Sequence, residues 1–250
     1  IGIRELGALT MWVRSVVGRH FNVSFVANLP APCIDMHGNM RLPVPNSNMS
    51  ISDAIKLRGW CIHETSHPMY QPAGFDILRN NPMKEDSPLG FIFNMLMDVH
   101  CETMRYLDWP GDGKALSEYG AVLGHELTPK IAKSVKTADD AYLKTLALLY
   151  ACITAESKWN VGMAISFADL FAHIVPKDMV TLGDEVLHKF KLTERLVDNP
   201  QDETSQSIFD LAKEIYAFLY DKDPEDEIGK GKSKGEGKDE KDGKKGKEKG

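Results

Sequence analysis

The segment from His63 to His67, with the sequence HETSH, constrains the fold of this chain more than any other five residues. If the segment is helical, the two histidines project from the same face one turn apart, where both imidazoles can bind one metal ion. Glu64 then lies beside that face, within reach of a water molecule activated by the metal. The motif therefore predicts a metal site on a helix, completed by a ligand from a facing element.

This spacing of two histidines and a glutamate is the arrangement of zinc-dependent peptidases. A zinc hydrolase needs three protein ligands and one position for water. His63 and His67 supply two ligands, and Glu64 is expected to act as the catalytic general base. The motif therefore predicts one Zn²⁺ ion and hydrolysis of an amide bond.

A polar stripe on the next helical segment offers the third ligand. Pro88 suits the first position of a helix that extends to about residue 107. Four polar residues of this helix share one narrow sector: Asn94, Asp98, Glu102 and Arg105. Two carboxylates one turn apart repel each other, and a cation facing them removes that repulsion.

We assign Asp98 as the third metal ligand and Glu102 as the acceptor that orients a ligand histidine. The reverse assignment stays open, with Glu102 on the metal and Asp98 behind it, and so does a solvated acidic face without a metal. Asn94 is expected in the same surroundings. Arg105 is expected to neutralise whichever carboxylate stays off the metal.

The residues before the motif show strand and helix patterns. We predict a helix over 4–18, a strand over 22–27, and a hairpin of 33–36 with 40–44. Because Pro43 cannot donate a ladder hydrogen bond, its strand is expected at a sheet edge.

The motif helix and the segments after it carry helical signals. Ser52 and Asp53 offer the N-cap of the motif helix, and Pro68 predicts that this helix ends or kinks at His67. Beyond Pro110, the strongest helical segments are 138–157, 166–174, 178–195 and 201–220.

A His-Glu-x-x-His helix followed about thirty residues later by Asn94, Asp98 and Glu102 resembles a known arrangement. It is that of the zincin-like metallopeptidase domains associated with von Willebrand A modules in phage and bacterial proteins similar to the cobaltochelatase T subunit. The likeness covers about residues 20–115. It implies zinc, a gluzincin-like or aspzincin-like ligand set, and a von Willebrand A domain after the charged tail.

Together these signals predict an α+β fold. A small zincin-like sheet with an active-site helix and a ligand helix is expected over 1–114, and an all-helical subdomain over 115–222. Residues 223–250 contain lysine, glutamate, aspartate and glycine with almost no apolar side chains, so we expect a disordered tail or linker.

The expected function is that of a zinc metallopeptidase acting on a peptide or protein substrate. Tyr70 and Tyr106 are expected donors to the oxyanion, and the strand over 40–44 is expected to pair with an extended substrate. The alternative is a non-catalytic metal-binding adaptor, or a chelatase-subunit-like interaction protein, linked to a von Willebrand A module.

Composition excludes other classes. The net charge of −6 combines +4 over residues 228–250 with −10 over the rest, which argues against a nucleic-acid-binding surface. No apolar run approaches the roughly 20 residues of a membrane helix, and Arg4 and Glu5 interrupt any signal peptide. Four cysteines without paired spacing favour a reducing compartment: the cytoplasm, or the host cytoplasm or virion for a phage-encoded protein.

Overall fold

The computed structural model describes residues 22–27, 29, 33–34, 39–44, 49–84 and 86–229. The helix predicted over 4–18 and most of the predicted tail lie outside these residues. Within the described ranges the chain is mostly helical with one small sheet, which confirms the α+β class at that coarse level. No helix in this part of the chain is long and apolar enough to cross a lipid bilayer.

The sheet contains three strands in the order β1-β3-β2, and it confirms the predicted strand and hairpin. Its strands are β1 (Asn22–Val26), β2 (Cys33–Ile34) and β3 (Asn39–Pro43). β1 pairs with β3 in parallel, with Phe25 opposite Leu42. β2 pairs with β3 in the antiparallel direction, with Cys33 opposite Arg41.

The prediction that Pro43 marks an edge strand is wrong, because β3 is the central strand of the described sheet. The N–H of Val44 donates to the carbonyl of Val26 at 3.3 Å. Since backbone N–H groups alternate in direction along a strand, the backbone nitrogen of residue 43 points away from β1. The described part of β2 pairs only with Met40 and Arg41, so the missing donor at Pro43 lies beyond that pairing.

The motif lies on α1 (Ile51–Tyr70), whose ends differ from the prediction. Ser50, rather than Ser52 or Asp53, is the N-cap, and its hydroxyl accepts from the N–H of Asp53 at 3.1 Å. The helix does not end at His67 but runs through Pro68 to Tyr70, so the predicted end is wrong and the predicted kink stays a prediction.

Six of the seven helices after α1 contribute side chains to the main hydrophobic core. They are α2 (Ala73–Asn80), α3 (Pro88–Asp108), α4 (Pro110–Val135), α5 (Asp140–Glu156), α6 (Val161–His173), α7 (Lys177–Lys189) and α8 (Ser205–Tyr220). α6 instead contributes to a second apolar cluster. Short helical turns cover Glu194–Asp198, Pro200–Asp202 and Pro224–Asp226. The helix predicted over 178–195 stops at Lys189, and Lys191 then adopts a positive φ of 52°.

Two hydrophobic clusters hold α1 in place. Met40 and Leu42 of β3 are buried against Leu57 and Cys61 of α1. The main cluster contains Ile62 together with residues of α3, α4, α5 and α8, so helices on both sides of residue 114 share one core.

Gly59 allows α1 to approach α4 closely, one turn before the first histidine. A Cβ atom at this position would overlap the Cβ of Tyr119 on α4. The main core and this close approach therefore fix the face of α1 from which His63 and His67 project toward α3.

Candidate metal centre

Three ligand-type side chains converge between α1 and α3. His63, His67 and Asp98 each offer a donor atom, and these atoms all lie within 4.8 Å of one another. Oδ1 of Asp98 is 3.2 Å from Nε2 of His67 and 3.8 Å from Nε2 of His63. The two imidazole rings are nearly perpendicular, at 89°, with centroids 5.1 Å apart. This trio has the residue types and spacing of a metal site with two imidazoles and one carboxylate.

The two oxygens of Asp98 have different surroundings. Oδ2 accepts a hydrogen bond from Nδ2 of Asn94 at 3.0 Å. Oδ1 is buried and has no hydrogen-bond partner among the described residues, although both histidine Nε2 atoms lie near it. A buried carboxylate oxygen without a partner is costly, and a bound cation would offset that cost. The donor set therefore fits a metal ion at Oδ1.

Glu102 lies behind His63. Its Oε1 is 2.6 Å from Nδ1 of His63, and the residue is 7% exposed. A proton on Nδ1, donated to Glu102, leaves the Nε2 lone pair facing Asp98. This arrangement favours Asp98 as the third ligand and Glu102 as the group that orients the histidine.

The electrostatics of the trio follow from the surplus of carboxylates. Burial acts to lower the pKa of His63, but Asp98 and the hydrogen bond to Glu102 outweigh it and raise the pKa to about 10. Burial acts to raise the pKa of Asp98, but His63 and His67 hold it below its usual value. The site therefore attracts positive charge, whether carried by protons or by a metal ion.

Glu64 is located in the cleft beside both histidines. The cleft has a volume of about 300 Å³, and Glu64, His63 and His67 line one part of it. Glu64 is not one of the converging trio. The remaining lining is largely apolar and includes Cys33 of β2.

Arg105 differs from its predicted role. Its Nε donates to Oδ2 of Asp112 at 2.8 Å, and the side chain is 2% exposed. The prediction that Arg105 neutralises Asp98 or Glu102 is therefore wrong. Arg105 lies in the last turn of α3 and Asp112 in the first turn of α4, so the break at Trp109 brings them together.

The two tyrosines expected as oxyanion donors are engaged elsewhere. The hydroxyl of Tyr70 donates to Oδ2 of Asp108 at 3.0 Å. Tyr106 stacks on Trp159, with ring centroids 5.3 Å apart and an interplanar angle of 11°. Neither tyrosine lines the cleft that contains Glu64. The structure therefore does not bring them to the candidate reaction site.

Sequence reasoning missed Glu156, at the end of α5. The residue is 5% exposed, and its Oε2 accepts from Nδ2 of Asn160 at 3.1 Å. It lines a second cavity of about 250 Å³ together with His63, Asp98 and Glu102. Burial raises the pKa of Glu156 well above its usual value, and the charges of Glu102 and Asp98 raise it further.

The sequence signal for Glu156 was its position on the otherwise apolar, buried face of α5. Ala151, Cys152 and Ala155 precede it, and all three are buried. A lone acid on such a face must be neutral or paired. Its closeness to Glu102 and Asp98 depends on how α5 packs against α3, which local periodicity does not reveal.

We expect Glu156→Gln to stabilise the metal-free protein, and more so at pH 8 than at pH 5. The folded state must keep a proton on Glu156 that the unfolded chain releases above its ordinary pKa. Stability is therefore lost as pH rises through the window between the unfolded and folded pKa values, by about 1.4 kcal/mol per pH unit. Glutamine keeps an acceptor for Asn160 without carrying the proton. Thermal unfolding with a chelator present, at both pH values, measures the difference.

The matched control for this experiment is Glu185→Gln, because Glu185 is an exposed helical glutamate. We expect its melting temperature to stay within about 1 °C of the wild type at both pH values. An advantage of Glu156→Gln that is the same at pH 5 and pH 8 would contradict a neutral Glu156.

Comparison of the chain with protein-family models, with curated proteins and with solved structures finds no match. The side chains of this site and the shape of the cleft are therefore the features that indicate a function.

Proposed function

We propose that this chain is a zinc-dependent hydrolase of amide bonds in peptides, with the ion held by His63, His67 and Asp98. The observation that carries the proposal is the convergence of two histidine Nε2 atoms on a buried Oδ1 of Asp98, which has no hydrogen-bond partner in the described part of the chain. Both histidines line the cleft together with Glu64, and Asp98 lines the neighbouring cavity that His63 also borders. A purely structural site has no need of a carboxylate in that position.

Zinc is the metal that best suits the donor set. Two imidazoles and one carboxylate are intermediate in softness, and catalytic zinc sites use three protein ligands of these types. When bound, the ion supplies Lewis acidity, which lowers the pKa of water and polarises a carbonyl group.

The side chains around the trio have separate tasks in the proposed reaction. Glu64 accepts a proton from the attacking water and returns it to the nitrogen of the leaving amine. Glu102 holds the ring of His63 through Nδ1, and Asn94 holds Oδ2 of Asp98 so that Oδ1 faces the histidines. These hydrogen bonds fix the orientation of the ligands before any substrate binds.

A zincin-like architecture forms part of the same proposal. β3 packs on α1 through Met40, Leu42 and Leu57, and α3 faces the motif helix from its other side. Support for the likeness comes from this order of sheet, motif helix and ligand helix.

Metal reconstitution combined with a peptide digest tests the proposal. We expect one zinc ion per chain after purification without chelators, and cleavage of members of a mixed peptide library followed by mass spectrometry. Treatment with a chelator should abolish cleavage, and zinc should restore it. Stoichiometric zinc without cleavage of any peptide would overturn the hydrolase and leave a metal-binding adaptor.

A further inference from the structure

A second groove begins where the cleft ends. It has a volume of about 700 Å³ and runs between the start of α3, the start of α5 and the end of α8. Leu78 of α2 and Gly90 of α3 line both the groove and the cleft. The two depressions are therefore neighbours that share two lining residues.

Three aromatic side chains from three helices line the groove: Phe91, Tyr142 and Tyr220. Phe91 is 47% exposed although it belongs to the helix that carries Asp98. Tyr220 is held in place, because its ring stacks on Tyr216 with centroids 5.1 Å apart and Lys144 lies 5.3 Å from its ring centroid. The groove is therefore a preformed aromatic surface that suits a large apolar side chain.

Gly90 presents no side chain from α3 where the two depressions adjoin. A Cβ atom at this position would lie 3.0 Å from Sδ of Met83 and would narrow the same region. Leu78 borders the same region from α2. We take this shared border as the place where an extended backbone crosses from the cleft to the groove.

The distance between the candidate metal centre and the aromatic groove follows from the geometry of α3, which carries residues of both. Asp98 and Phe91 are seven residues apart on this helix, which corresponds to about 10 Å at about 1.5 Å per residue. An extended peptide covers about 3.3 Å per residue. The aromatic surface is therefore about three substrate residues from the bond that would be cleaved.

We infer that the groove is a substrate-binding site for an extended polypeptide that carries a large apolar or aromatic side chain about three residues from the scissile bond. This inference rests on the proposed function and adds its substrate class. Two acidic side chains, Asp86 and Asp139, line the groove. Among the described residues, Lys84 is the one basic side chain that lines it. The groove therefore selects through apolar contact rather than through a strong charge of one sign.

A series of fluorogenic decapeptides tests the inference. Each carries one phenylalanine, placed from one to six residues from a fixed cleavable bond, in an otherwise alanine and glycine background. We expect kcat/KM to peak at a spacing of about three residues. Phe91→Ala should raise KM for that peptide about tenfold and leave a tetrapeptide unchanged. The matched control is Ile165→Ala, because Ile165 is an exposed apolar residue of α6 outside the groove.

Binding without turnover separates this inference from the proposed function. Fluorescein-labelled versions of the same decapeptides are titrated with the wild type and with Phe91→Ala, and anisotropy is recorded. If no peptide is cleaved but binding depends on spacing and on Phe91, the inferred binding groove is supported and the proposed hydrolase activity is refuted. If peptides are cleaved with no dependence on spacing or on Phe91, the groove is overturned and the hydrolase stands. If no decapeptide is cleaved and none is bound, both the inferred groove and the proposed hydrolase are overturned.

Discussion

Glu64→Gln is expected to keep one zinc ion per chain and to lower kcat/KM for peptide cleavage by about 10²–10⁴-fold. Glu64 lines the cleft beside both histidines but is not one of the three converging ligands. Glutamine has nearly the same size, so metal binding and packing should persist. Its neutral amide cannot accept the proton of the attacking water. Zinc content by mass spectrometry and steady-state cleavage of one library peptide measure the two effects.

The control for Glu64→Gln must separate a lost base from general damage to the protein. Glu126 is an exposed glutamate, and its Oε1 accepts a hydrogen bond from Lys56 at 2.8 Å. Glu126→Gln should retain both zinc and activity. Near-wild-type cleavage by Glu64→Gln would show that another group accepts the proton, and loss of zinc from this variant would show that Glu64 contributes to the metal site.

Features that depend on local spacing could be predicted from the sequence. The helical ranges 138–157 and 201–220 correspond to α5 and to α8, which begins at Ser205. The stripe of Asn94, Asp98 and Glu102 is likewise a property of one helix and needs no knowledge of tertiary packing. The hairpin formed by β2 and β3 could be predicted because its strands are close in sequence.

Features that depend on long-range packing could not be predicted in the same way. Pro43 indicated an edge strand because proline lacks a backbone N–H. That local property does not reveal the parallel pairing of β3 with β1. Arg105 shares a helical sector with Glu102, yet the turn between α3 and α4 gives it Asp112 as a partner. Glu156 is far from the motif in sequence and reaches the site only because α5 packs against α3.

The geometry of the carboxylates leads to a ranked prediction for metal affinity. Asp98→Asn should weaken zinc binding by more than 100-fold, because it removes the charge of the oxygen that faces both histidines. Glu102→Gln should weaken it by about 10–100-fold, because it removes only the acceptor that orients His63. Competition with a zinc-sensitive dye at pH 7.5 measures both dissociation constants.

The order of the two effects decides which carboxylate is the ligand. If Glu102→Gln costs more affinity than Asp98→Asn, then Glu102 binds the metal and Asp98 lies behind it. Asp169 is an exposed aspartate on α6, so Asp169→Asn should leave the dissociation constant unchanged and serves as the control for charge removal. Equal and small effects at Asp98 and Glu102 would contradict a metal ion between α1 and α3. Circular dichroism of each variant shows whether a loss of affinity comes from the site or from unfolding.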